Sequence, residues 1–90
     1  MASKRTLKKQ INYSCDILFA ECVATSLCNA NAAQQDIDAI LTEILITNSN
    51  YIRRISHPEP GLSEKAYFKD LIDSFNKDVQ EIIDNISNLY

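Results

Sequence analysis

One segment, residues 7–28, limits the possible folds more than any other part of the chain. It contains no Gly or Pro, and its apolar residues recur every three or four positions, which is the spacing of a helix face. The main apolar face is wide and spans about 160° of the helix circumference. A second apolar face is separated from it by Asp16 on one side and Glu21 on the other. A helix that is apolar on most sides is normally buried on more than one side. The main face consists of Leu7, Ile11, Cys15, Leu18, Phe19, Cys22 and Val23, and the second of Tyr13, Ile17, Ala20, Ala24 and Cys28.

Two further segments have helical periodicity. The second predicted helix covers about residues 33–55 and is apolar on one side, and the third covers about 64–89. The second has its apolar seam at Ile37, Leu41, Ile44, Asn48, Tyr51 and Ile55. The third has its seam at Phe68, Ile72, Phe75, Val79, Ile82, Ile86 and Leu89. Both seams alternate steps of three and four residues, which is typical of helices that pack lengthwise against neighbours.

The helix boundaries follow from capping and turn residues. The segment 56–61 contains both prolines and the single glycine of the chain, and it must end the second helix. Ser63 is well placed to cap the third helix. Ser3 or Thr6 is expected to cap the first helix, which covers about residues 4–28.

These segments predict an all-α fold, an up-down-up three-helix bundle formed by a single domain over residues 1–90. The connections are short enough to join antiparallel neighbours. A dimer of such bundles is compatible with the pattern, and so is a dimer that exchanges helices through the proline-containing connection.

Composition excludes several classes of function. The formal net charge of −3 and a pI near 4.9 argue against a general nucleic-acid binder. Three cysteines are an odd number, and Cys15 and Cys22 are too far apart on one helix to form a disulfide. The thiols therefore indicate a reducing cytoplasm. Asp16 and Glu21 interrupt the first apolar segment, so neither a signal peptide nor a membrane span is expected.

Charge is unevenly distributed along the predicted bundle. The start of the first helix, the end of the second and the start of the third share one end, where eight of the nine Lys and Arg residues meet four of the twelve acidic residues. We call this the basic end. It carries a net charge of +4, and the remainder carries −7. One hypothesis is that this end binds an anion or nucleic acid, using Lys4, Arg5, Lys8, Arg53, Arg54, His57 and Lys65. The alternative is a solvated helix end whose arginines complement the helix dipole.

The second apolar face of the first helix suggests a partner-binding surface. A three-helix bundle uses the main face, and nothing else in the chain is expected to cover Tyr13, Ile17, Ala20, Ala24 and Cys28. Ala20 and Ala24 are small enough for another helix to approach closely, and Tyr13 and Ile17 could act as anchors. The partner would be a second copy of the chain in a homodimer, or an unknown protein. Alternatively, these residues are singly exposed apolar groups of the ordinary kind.

No constellation for catalysis, a cofactor or a metal is predicted. His57 is the only histidine, and it lies in a loop too far from Cys15 and Cys28 for a nucleophile pair. Two thiols do not complete a zinc shell. One glycine rules out the usual phosphate loop and nucleophile elbow. Asn48 interrupts an apolar seam, where it could fix the register of the helices or lie hydrated at the edge.

Three short stretches resemble those of short uncharacterised helical proteins from bacteria. They are Phe19 to Ala24, Ile55 to Gly61 and Tyr67 to Leu71. The resemblance implies a bacterial cytoplasmic origin and carries no activity. We therefore expect a non-enzymatic helical protein that acts by self-association or by protein–protein interaction through the second face of the first helix. Anion or nucleic-acid binding at the basic end is the alternative function.

Overall fold

A computed structural model describes residues 4–29, 31–58, 60–61 and 63–89. Within these residues the chain forms three α-helices, α1 Lys4–Cys28, α2 Gln34–Ser56 and α3 Glu64–Ser87. The bounds lie within two residues of the predicted ones. The all-α prediction is therefore confirmed.

Two hydrogen bonds establish the order of the helices in space. The Tyr67 hydroxyl donates to the Arg54 carbonyl at 3.0 Å, which joins the start of α3 to the end of α2. The Asn29 side-chain amide donates to the Leu89 carbonyl, which joins the end of α1 to the end of α3. The helices therefore run up, down and up, as predicted.

Local capping explains where the helices begin and end. Ser63 caps α3, because its hydroxyl oxygen accepts a hydrogen bond from the Ala66 amide at 3.2 Å. Gly61 has a φ of 91°, a left-handed conformation that favours glycine in the turn before α3. Thr6 lies inside α1, so it is not the cap of that helix. Ser3 lies outside the described residues.

The core is a stripe along each helix, with α2 in the middle. α1 lies closest to α2, α3 packs on α2, and the contact between α1 and α3 is the sparsest. The molecule is a rod of 49 × 18 × 16 Å. Its radius of gyration is 14.8 Å, whereas a compact domain of this length has about 12 Å. The core residues are Leu7, Ile11, Cys15, Leu18, Cys22, Ile37, Ile40, Ile44, Tyr51, Ile55, Tyr67, Leu71, Phe75, Ile82 and Ile86.

The predicted seam of α3 is wrong in its first half. Tyr67 and Leu71 are buried there, whereas Phe68 is half-buried and Ile72 is exposed. The buried stripe is thus rotated by one residue. A hydrogen bond favours Tyr67 over Phe68 at the buried position. The Tyr67 ring packs in the core while its hydroxyl donates to the Arg54 carbonyl, and Phe68 has no hydroxyl to make this bond.

The main face of α1 is narrower than predicted. Phe19 is exposed and Val23 is half-buried, whereas Thr25 is buried in line with Leu7. In the described part of the chain, α2 alone lines the Phe19 side, and the edge of that interface is open to solvent. The wide face predicted for two full neighbours is therefore only partly covered.

Asn48 lies half-buried in the α1–α2 interface. Its side-chain oxygen is buried and has no hydrogen-bond partner among the described residues. A buried polar atom that lacks a hydrogen bond destabilises the folded state.

We predict that Asn48→Leu raises the free energy of unfolding by about 1 kcal/mol, because the substitution removes the unpaired oxygen at similar volume. Urea denaturation of the two proteins measures this difference. The matched control is Asn50→Leu at an exposed position of α2, which should change stability by less than about 0.5 kcal/mol. Equal or lower stability of Asn48→Leu would contradict a destabilising effect of the unpaired oxygen.

Candidate functional site

All five predicted partner-binding residues are exposed on one side of α1. They are Tyr13, Ile17, Ala20, Ala24 and Cys28, and we call this surface the outer α1 face. Tyr13 is 68% exposed and Ile17 is 47% exposed. The residues recur at steps of three and four, so the helix itself brings them into one stripe. No other described segment of the chain covers this stripe.

A groove between α1 and α3 extends the outer α1 face. It holds about 280 Å³, and Tyr13 and Ile72 are among its lining residues. Leu7, Ile11 and Phe75 add apolar lining, and Gln10, Ser14 and Asn76 are its polar groups. The groove exists because α1 and α3 both pack against α2 and approach each other only sparsely. A second helix could therefore contact the outer α1 face and the groove together.

Three apolar residues of this region were missed by the sequence analysis. Leu27 is 81% exposed and lies three residues after Ala24, so the spacing of the stripe could have revealed it. Ile72 and Ile83 are exposed on α3, where they line the side facing α1. No pattern within α3 could have revealed this, because the rotation of its seam depends on contacts with α2.

The edge between α1 and α2 is a less suitable docking surface. Phe19 and Leu45 are exposed beside a groove of about 240 Å³. Asp16 lines the same groove, and a carboxylate there opposes burial against an apolar partner.

The up-down-up order places the residues of the anion-binding hypothesis at one end of the rod. Lys4, Arg5, Arg53, Arg54, His57 and Lys65 are exposed, and Lys8 is half-buried. His57 lies at the end of α2, where its backbone amide donates to the Arg53 carbonyl at 3.0 Å. These positions are equally those of a solvated helix end, and anion binding there stays a prediction.

Arg54 also takes part in the packing of the basic end. Its guanidinium lies 5.0 Å from the centroid of the Tyr51 ring, a cation–π contact. The Tyr51 hydroxyl donates to the Asp78 carboxylate at 2.6 Å, and the Phe75 ring meets Tyr51 edge-on at 5.1 Å. Burial of Tyr51 and its hydrogen bond to Asp78 raise its pKa to about 12.

The three thiols are free and have different surroundings. Cys15 and Cys22 are buried in the core, and Cys28 is exposed on the outer α1 face. Burial raises the pKa of Cys15, with a further contribution from the neighbouring Asp16 carboxylate, and burial also raises that of Cys22. Neither buried thiol has the low pKa of a nucleophilic cysteine.

Among the described residues, no three His, Cys, Asp or Glu side chains converge as metal ligands would. None of the described helices is long and apolar enough to cross a membrane.

The chain has no significant match to any protein-family model, any curated protein sequence or any solved structure. The resemblance to short bacterial helical proteins therefore stays an expectation.

We predict that only one thiol of the folded protein reacts rapidly with a soluble disulfide reagent. Cys28 is exposed, whereas Cys15 and Cys22 are buried with raised pKa values, so they form thiolates less readily. Absorbance on addition of the reagent at low protein concentration counts the fast thiols, and denaturant should then release two more. Cys28→Ser should abolish the fast phase, and a fast phase that persists in this variant would contradict the burial of the other two.

We predict that Tyr51 makes stability fall at high pH. Its pKa is higher in the folded protein, about 12, than its ordinary value of 10.0. The contribution of Tyr51 to the free energy of unfolding is therefore complete below pH 10 and is lost as the pH rises towards 12. The loss is on the order of 2 kcal/mol. Denaturant unfolding at several pH values should show this loss in the native protein but not in Tyr51→Phe. Parallel curves for the two proteins would contradict the raised pKa.

Proposed function

We propose that this protein acts by protein–protein association, with the outer α1 face as its docking surface, and not by catalysis. The observation that carries the proposal is the exposure of Tyr13 and Ile17 on a stripe that no other described segment covers. Singly exposed apolar residues are common on proteins, whereas a continuous apolar stripe is typical of an interaction site.

The shape of the surface favours a helix as the docking element. The stripe runs along α1 with the periodicity of a helix face, and Ala20 and Ala24 allow a partner backbone to approach closely. Tyr13 and Ile17 stand beside them as anchors, and burial of the exposed part of each contributes on the order of 1 kcal/mol. The adjoining α1–α3 groove offers the second wall that a docked helix needs.

The response to salt separates this function from anion binding at the basic end. Association through apolar burial persists as the salt concentration rises, because screening acts on exposed charges. Binding of a polyanion through lysines and arginines weakens steeply under the same conditions.

The test uses a photo-reactive amino acid in place of Ile17, with the protein produced in its native cell. Illumination should give discrete cross-linked products, to a partner protein or to a second copy. The matched control carries the same amino acid in place of Ile46, which is 54% exposed on α2, and it should not give these products.

A competing substitution makes this test specific. A second variant carries the photo-reactive amino acid in place of Tyr13. Adding Ile17→Lys to this variant should abolish its cross-linked products, because the lysine places a charge in the centre of the stripe. The proposal fails if position 17 gives no products, or if positions 17 and 46 give the same ones. It also fails if Ile17→Lys has no effect on products formed from position 13.

A further inference from the structure

We infer that the partner of the outer α1 face is a second copy of this chain, bound with its α1 antiparallel to that of the first. This inference rests on the proposed function and specifies the partner and its orientation. The size order of the side chains along the stripe and the uneven charge of the rod support it independently.

The stripe is complementary to itself when it is reversed. Its first two residues, Tyr13 and Ile17, are large, and its next two, Ala20 and Ala24, are small. An antiparallel pair in which Ile17 faces Ala20 of the second copy also places Tyr13 opposite Ala24. Each layer then contains one large and one small side chain, an arrangement that lets facing layers interdigitate. A parallel pair in register would place Tyr13 against Tyr13 and leave the alanines facing each other.

The charges favour the same orientation. In this register the start of α1 of one copy, with four Lys and Arg residues between residues 4 and 9, lies beside the end of α1 of the other copy at Cys28. The acidic residues Asp36 and Asp38 follow in the first turns of α2. A parallel pair would bring the two basic ends together, each with a net charge of +4, and the two remainders together, each with −7. Opposite charges at facing ends set the orientation of paired helices.

The rod has a large exposed surface for its mass. The chain exposes 6088 Å², whereas a typical monomer of its mass exposes about 5300 Å². The excess follows from the elongated shape of 49 × 18 × 16 Å, which leaves α1 accessible along its length to a second copy.

The first measurement is sedimentation equilibrium of the purified full-length protein over a range of concentrations. We expect a monomer–dimer equilibrium that Ile17→Lys weakens by roughly tenfold or more. The matched control is Ile46→Lys, which makes the same change at an exposed isoleucine of α2 and should leave the equilibrium unchanged. Circular dichroism and thermal unfolding of both variants verify that they remain folded.

The second measurement tests the orientation with cysteine variants in a Cys28→Ser background. Tyr13→Cys and Ala24→Cys should form an intermolecular disulfide when the two proteins are mixed and oxidised. Each variant alone should cross-link poorly, because in the antiparallel pair two copies of residue 13 are separated by roughly 16 Å along the helices. The native protein should also fail to link through Cys28, since its two copies are roughly 28 Å apart.

The outcomes distinguish this inference from the proposed function. Preferential linkage in the mixture, with dimerisation sensitive to Ile17→Lys, supports the antiparallel dimer. Equal linkage of the single variants with themselves overturns the antiparallel orientation and leaves the association surface in place. If the protein stays monomeric at all concentrations, the partner is not a second copy of the chain. The proposed function is then tested only by the photo-cross-linking at position 17. A dimer unaffected by Ile17→Lys overturns this inference.

Discussion

The packing of α1 and α3 against the same helix determines most other features of the molecule. α2 contributes a buried stripe that includes Ile44 and Ile55, and both neighbours bury their own stripes against it. Because α1 and α3 approach each other only sparsely, the bundle remains open along one side. An elongated rod, an apolar groove and an uncovered face of α1 all follow from this opening.

The outer α1 face differs from the other apolar surfaces that the bundle leaves exposed. Ile46 is isolated on α2, and the Phe19 edge has a carboxylate beside it. On the outer α1 face, by contrast, two large apolar residues are followed by two small ones, at the spacing of a helix that packs lengthwise. Burial of this surface by a partner would resemble the packing already present between α1 and α2.

The basic end of the rod has a structural role as well as a charge. At the basic end, the Arg54 guanidinium lies over the Tyr51 ring, and Tyr67 fixes α3 to α2. Tyr51 in turn donates a hydrogen bond to Asp78, farther along α3. Part of the positive charge there thus has a structural role within the chain. The rest is exposed, and it gives the rod a charge asymmetry that acts on any partner lying alongside it.

The sequence alone determined the number of helices, their bounds within two residues and the exposure of Tyr13 and Ile17. These features depend on local periodicity, on the prolines and Gly61, and on the Ser63 cap, all of which act within a few residues. The tertiary structure decided which residue of α3 enters the core, because the hydroxyl of Tyr67 finds its acceptor on another helix. It also decided that Phe19 and Ile72 remain at open edges, since the coverage of a helix face depends on where the neighbouring helices lie.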